Sequence, residues 1–136
     1  MALAQQGVVD GICFAPLNKA SLHMAGMGHA DELHWFAQML GHQGAISEFN
    51  VLDGLWTCRV TSHVAIREVA DLNTPEKVIG AVALSRDALV AAGIERPRIA
   101  VCGLNPHNGD NGAFGREEIE IIGPALEEAR RRGLPC

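Results

Sequence analysis

Two histidines hold the residue chemistry most open to a function. His107 lies in Gly103-Leu104-Asn105-Pro106-His107-Asn108-Gly109-Asp110-Asn111-Gly112-Ala113-Phe114-Gly115-Arg116-Glu117-Glu118, a stretch dense in glycine and asparagine. His63 closes the polar turn Thr61-Ser62-His63. Each histidine follows the carboxyl end of a predicted strand. In α/β folds that is the ligand-binding side, because strand carboxyl ends and helix amino ends converge there. Imidazole suits Zn²⁺ and other divalent first-row metals, and two histidines with a third ligand leave an open catalytic position. Asp110 adds a carboxylate, and Gly109, Gly112 and Gly115 let backbone N–H groups approach a ligand closely. Spacing alone leaves a packing role and a ligand role open for both histidines, since any two strand-end histidines meet the pattern.

The other polar candidates are weaker. His29 opens a predicted helix in Gly28-His29-Ala30-Asp31, where it could add a donor to an anion site or serve as an ordinary turn residue. Lys19 follows a predicted strand end and could meet a carboxylate or phosphate, or stay solvated. His23, His34 and His42 read as packing or solvent-facing residues. The glycine loop is not a Walker A loop, because no Gly-Lys-Ser/Thr follows it. Its Gly109-x-x-Gly112-x-x-Gly115 spacing is not a dinucleotide fingerprint either. A Gly-x-Ser-x-Gly nucleophile elbow is also missing.

Regular elements must position these residues. Val8 to Ala15 reads as a strand ended by Pro16. Asn18 caps a short helix closed by Gly26. A second helix begins near Ala30 and stops before Gly41, with Leu33, Phe36, Ala37 and Leu40 on one face and Asp31 and Glu32 in its first turn. Ile46–Leu52 and Leu55–Thr61 form two strands joined at the turn dipeptide Asp53-Gly54. Thr74-Pro75-Glu76 opens a long helix that runs to about Ala92, with Gly93 as its stop. Arg98–Cys102 has the length of a buried strand. A last helix spans about Arg116 to Arg132, and Gly123-Pro124 should kink or split it. Strands alternating with helices predict an α/β fold. Met1–Gln6 reads as the tail of a helix, and Leu134-Pro135-Cys136 stops where a further strand is expected. The chain is therefore expected to be a central piece of a longer fold.

Composition narrows the function classes. The 136 residues suit one domain, and 48% hydrophobic with 20% charged residues fits a chain with a real core. A net charge of −5 with no basic stripe argues against a nucleic-acid partner. No apolar run reaches the roughly 20 residues that span a bilayer, so no membrane partner is expected. The amino terminus carries no signal-peptide pattern. Cys13, Cys58, Cys102 and Cys136 form no CxxC pair and read as buried reduced thiols, which predicts a cytoplasmic setting.

The loop from Gly103 to Asp110, continued by Phe114-Gly115-Arg116-Glu117-Glu118-Ile119 and Ile122-x-Pro124-Ala125, resembles the hallmark of the PdxA family. These are 4-hydroxythreonine-4-phosphate dehydrogenases of pyridoxal phosphate biosynthesis. Ala15-Pro16-Leu17-Asn18-Lys19, Gly28-His29, Arg59–Val64 and Pro97–Val101 match in family order, over essentially the whole chain. The resemblance implies a three-layer α/β/α fold of the isocitrate/isopropylmalate-dehydrogenase type, here incomplete, in a homodimer whose active site lies at the interface. It implies NAD and a divalent metal (Zn, Mg or Co) held by three histidines drawn from both subunits. By motif match two of these are His63 and His107, and the third belongs to a downstream segment that this chain lacks. The family's substrate-contacting His-Thr pair falls on His29 and Ala30. The implied reaction oxidises a small 3-hydroxy acid of the 4-phosphooxy-threonine type and then releases CO₂.

Ala30 in place of threonine, with the runs Asp31–Ala37 and Asn50–Thr57, is similar to PdxA-like relatives acting on other acids. These include phosphothreonate and terephthalate-type cis-dihydrodiol dehydrogenases. An inactive truncated chain is the remaining alternative.

Overall fold

The structure, a computed structural model, describes residues 1–29 and 31–136 and divides into two units, Met1–Ile46 and Ser47–Cys136. The first unit holds three short helices: α1 (Ala2–Gln5), α2 (Lys19–Met24) and α3 (Glu32–Met39). Asn18 caps α2 as expected, accepting from Ser21 N at 3.0 Å. The cap of α3 is Asp31, whose carboxylate accepts from His34 N at 2.9 Å, so this residue precedes the helix and is not part of its first turn. Phe14, Trp35 and Phe36 form an aromatic group, with Phe36 edge-on to Phe14 at 5.9 Å and stacked on Trp35 at 5.5 Å.

The strand expected over Val8–Ala15 does not form. Residues 8–15 pair with no ladder, and Val8, Val9, Ile12 and Phe14 are exposed. Apolar, β-branched composition favours a strand only when a neighbouring strand takes its backbone hydrogen bonds. Among the described residues none does.

The second unit begins with an antiparallel hairpin, β1 (Asn50–Leu52) and β2 (Leu55–Thr57), turned at Asp53-Gly54 with Gly54 at φ +72°. The turn is as expected, but the ladder is three residues long on each side, shorter than 46–52 and 55–61. A 3-10 turn (Ile66–Glu68) leads into α4 (Val69–Leu72) and then α5 (Pro75–Ala91). Thr74 caps α5 through Lys77 N, Pro75 stands in its first turn, and Gly93 follows its end at φ +89°.

The last helix runs unbroken through Gly123-Pro124, with right-handed helical backbone at Ile122 and Gly123, and changes there from a wide turn to a regular helix. Glu118–Ile122 forms a π-helical turn, and α6 (Gly123–Arg131) follows. Gly123 N donates to Glu118 O across the wide turn, and a Cβ on Gly123 would stand 2.9 Å from that oxygen. Pro124 has no N–H to give, so the carbonyl four residues back, Glu120 O, has no donor there in a regular helix.

The core lies between α5, α6 and the carboxyl terminus. Val82, Ala129 and Leu134 are buried together, with Ile79, Ile99, Val101 and Leu126 packed against them. Arg98–Cys102 is not a ladder strand. Ile99 and Val101 face the core while Arg98, Ala100 and Cys102 are exposed, and Ile99 N donates to Pro135 O at 3.2 Å. The segment thus keeps a strand's two-residue alternation with one face covered and no partner strand. The parallel sheet that alternating elements predict is not formed among the described residues; they are helix-rich with one small antiparallel ladder.

The cysteines also depart from expectation. All four are free, but Cys13 and Cys102 are exposed and Cys58 and Cys136 only partly covered. Cys102 lies on the outward phase of its segment, and Cys13 on the open stretch before Pro16. No helix among the described residues is long and apolar enough to cross a membrane.

Candidate metal centre

The chain from Gly103 to Glu118 closes on the carboxylate of Glu118. Leu104 N and Asn105 N donate to Glu118 Oε1 at 2.7 and 2.6 Å, and Asn105 Nδ2 donates to Glu118 Oε2 at 2.9 Å. The same Asn105 amide donates to Glu117 Oε2 at 2.6 Å. These contacts hold Glu118 well below the usual carboxylate range, at about 2, chiefly through the bonds from Asn105. Glu117 is lowered as well, first by its bond from the Asn105 side chain.

Above this carboxylate the backbone runs left-handed through five successive residues: His107 (φ 52°), Asn108 (57°), Gly109 (79°), Asp110 (43°) and Asn111 (54°). Left-handed backbone costs a non-glycine L-residue about 1–2 kcal/mol, less for Asn and Asp, whose side chains bond locally. His107 is the costly member. Gly109 is required on two grounds, since its φ is positive and a Cβ would stand 2.9 Å from Gly115 O. Ala113 N and Phe114 N return to Asp110 O and Gly109 O, each at 3.1 Å, and close the turn. The His107 ring is exposed, with the Phe114 ring 6.4 Å away.

His63 shares the backbone signature. Its φ is 55°, and among the described residues only these two of the histidines have positive φ. Its Nδ1 and Ser62 Oγ share a hydrogen bond at 3.1 Å, and Arg59 reaches the same hydroxyl at 3.5 Å. Strained backbone concentrates where a side chain must be aimed. The chain preceding each histidine lines one open cleft of about 550 Å³, apolar at Trp56, Val82 and Ile122 and polar at Arg59, Thr61 and Arg98. His63 follows the wall residue Thr61 by two positions and His107 follows Leu104 by three.

The remaining histidines are held locally. His23 Nδ1 donates to Met27 O at 2.9 Å, His42 Nε2 to Ala45 O at 3.2 Å, and His34 pairs with Asp31. His29, in the other unit, donates from Nε2 to Gln38 Oε1 at 2.7 Å, while Ala30 lies outside the described residues. Lys19 is exposed on the first turn of α2.

The donor set fits a borderline divalent metal in part. Two imidazoles are suitable ligands, but no group of three or more His, Cys, Asp or Glu gathers among the described residues. A complete site would need a ligand from elsewhere. Sequence reading missed the roles of Asn105 and Glu118. The signal available in the sequence was limited to a carboxylate immediately before an apolar helical run.

Residues 1–136 match the family described as pyridoxal phosphate biosynthetic protein PdxA. The chain belongs to the PdxA family. A Pseudomonas aeruginosa relative, provisionally named 4-hydroxythreonine-4-phosphate dehydrogenase 2, is 61% identical over 98% of this chain and 40% of its own length. The D-threonate 4-phosphate dehydrogenase of Bordetella bronchiseptica is 36% identical over 98% of this chain and 38% of its own. The crystal structure of 4-hydroxythreonine-4-phosphate dehydrogenase from Klebsiella pneumoniae superposes with a TM-score of 0.85 at 34% identity, over 98% of this chain and 40% of that one. Such PdxA neighbours are consistent with an α/β fold. The chain spans about 40% of the length of the relatives it matches.

Proposed function

We propose that the intact protein is an NAD- and divalent-metal-dependent dehydrogenase that oxidises, with decarboxylation, a 3-hydroxy acid of the 4-phosphooxy-threonine type. Family membership over residues 1–136 together with the strained loop that presents His107 carries this reading. His63 and His107 would hold the metal as two of three histidine ligands, the third coming from outside this chain. A homodimer with the site at its interface, a three-layer α/β/α fold and a cytoplasmic setting complete the proposal.

The bound metal would supply Lewis-acid polarisation of the substrate oxygen. This chain's own residues aim the ligands. The left-handed turn sets the direction in which the His107 side chain leaves the backbone, and the Ser62 hydroxyl shares a hydrogen bond with the His63 ring. His29 would contact the substrate, and Ala30 offers no hydroxyl donor beside it. A bound nicotinamide cofactor would supply the hydride-accepting chemistry, and the apolar cleft walls would limit water around a substrate held there.

The D-threonate 4-phosphate dehydrogenases from Bordetella and Salmonella, at 36% and 37% identity, favour phosphothreonate as a second substrate reading. NADH formation by the intact protein separates the readings. Phosphorylated 4-hydroxythreonine should give NADH in the presence of Zn²⁺, Mg²⁺ or Co²⁺. No turnover of it, with turnover of threonate 4-phosphate or of a cis-dihydrodiol diacid, would move the assignment to that acid. The 136-residue chain alone is expected to bind metal weakly and to turn over nothing.

A further inference from the structure

Glu118 is only 8% exposed although the loop around it is largely open to solvent. Its two carboxylate oxygens serve three parts of the loop at once. Oε1 takes both N–H groups at the entry, from Leu104 and Asn105. Oε2 takes the Asn105 amide and lies so close beneath Gly109 that a Cβ there would stand 2.9 Å away. The carboxylate is thus the hub beneath the left-handed turn, and His107 stands between its two anchor points, Asn105 and Gly109. An ionised carboxylate is acceptor-only, so it suits a ring of donors that a neutral amide could not satisfy.

Resting on the reading of His107 as a metal ligand, we propose that Glu118 is a positioning residue for that ligand. It acts through Asn105 and the turn, holding the His107 imidazole in the one direction useful to a shared metal, and it touches neither metal nor substrate. The neighbouring Glu120, by contrast, pairs with Arg116 on the surface.

The test uses the intact protein, titrated calorimetrically with Zn²⁺ and observed by visible absorption when loaded with Co²⁺. Glu118→Gln leaves the shape but sets an N–H₂ against the Asn105 amide. Removing a group that orients a metal ligand typically weakens metal binding about 10–100-fold. Glu118→Gln should fall in that range, with a changed Co²⁺ spectrum and an unchanged KM for NAD, while Glu120→Gln matches wild type in both readouts. Asn105→Ser keeps both backbone bonds and should shift affinity and spectrum the same way by less. It also decides the matter if circular dichroism shows that Glu118→Gln does not fold. His107→Ala, run in parallel, separates the two claims. Wild-type metal affinity in His107→Ala would overturn the ligand reading. Loss in His107→Ala with wild-type affinity and spectrum in Glu118→Gln and Asn105→Ser would overturn the positioning role alone.

Discussion

Met1–Ile46 and Ser47–Cys136 use the same sequence devices with different results. Both contain an apolar stretch of strand-like composition and a helix capped by a polar side chain. In the second unit the stretch Ile99–Val101 packs on Val82, Ala129 and Leu134. In the first, Val8, Ile12 and Phe14 stay exposed, and only Met27 and Asp31 are buried among the described residues. Local signals therefore place caps and turns, but whether an apolar stretch is covered depends on what else the chain supplies. His63, His107 and Glu118 all stand in the unit with a core, and His29 in the other.

The largest contrast comes from a charge placed in each unit. Ala129→Asp puts an unpaired carboxylate at a fully buried position and should cost several kcal/mol, on the order of 3–5, enough to unfold the second unit. Ile12→Asp in the same 136-residue chain should stay within about 0.5 kcal/mol, as measured by urea denaturation. The same pair in the intact protein sharpens the comparison. A cost at Ile12 that arises only there would mean that this segment is covered by other parts of the protein.

Gly109→Ala comes next. The positive φ and the clash with Gly115 O should together cost about 1–3 kcal/mol in thermal denaturation. Gly54→Ala in the hairpin turn, where a Cβ meets nothing, should cost less. The helix caps give a smaller contrast. Thr74→Ala should destabilise by about 1 kcal/mol, because α5 carries the buried Val78 and Val82. Asn18→Ala should cost less than Thr74→Ala, since α2 buries nothing.

The last contrast is silent at neutral pH. Glu118 sits at about 2 when folded, against an ordinary 4.5, so its contribution is complete above 4.5 and is lost as pH falls toward 2. Glu117 and Glu128 are shifted in the same direction, Glu128 first by its bond from Arg132. The Leu104 and Asn105 amide resonances should therefore titrate with a midpoint near 2. A midpoint near 4.5 would mean that the carboxylate is not held by these donors.

How much of this was readable in the chain itself differs by element. Thr74-Pro75, Asn18 and Asp53-Gly54 each did locally what their chemistry dictates, because caps and turns act over a few residues. The strands at Val8–Ala15 and Arg98–Cys102 failed as ladders, because pairing needs a distant partner that composition does not supply. In the site, the family motif pointed to His63 and His107. Their shared left-handed backbone was not legible, since positive φ is uncommon for any residue but glycine and the residue type alone does not call for it. Glu118 stayed hidden because a glutamate ahead of a helix reads as an ordinary first-turn residue, and only the fold brings the Asn105 and Leu104 donors onto it.

The central claim is that His63 and His107 serve one metal. Calorimetric titration of the intact protein with Zn²⁺ tests it, using His63→Ala, His107→Ala and, as a control, His42→Ala. Loss of high-affinity binding in each of the first two variants, with wild-type affinity in the third, is the predicted result. Wild-type affinity in either His63→Ala or His107→Ala would contradict it.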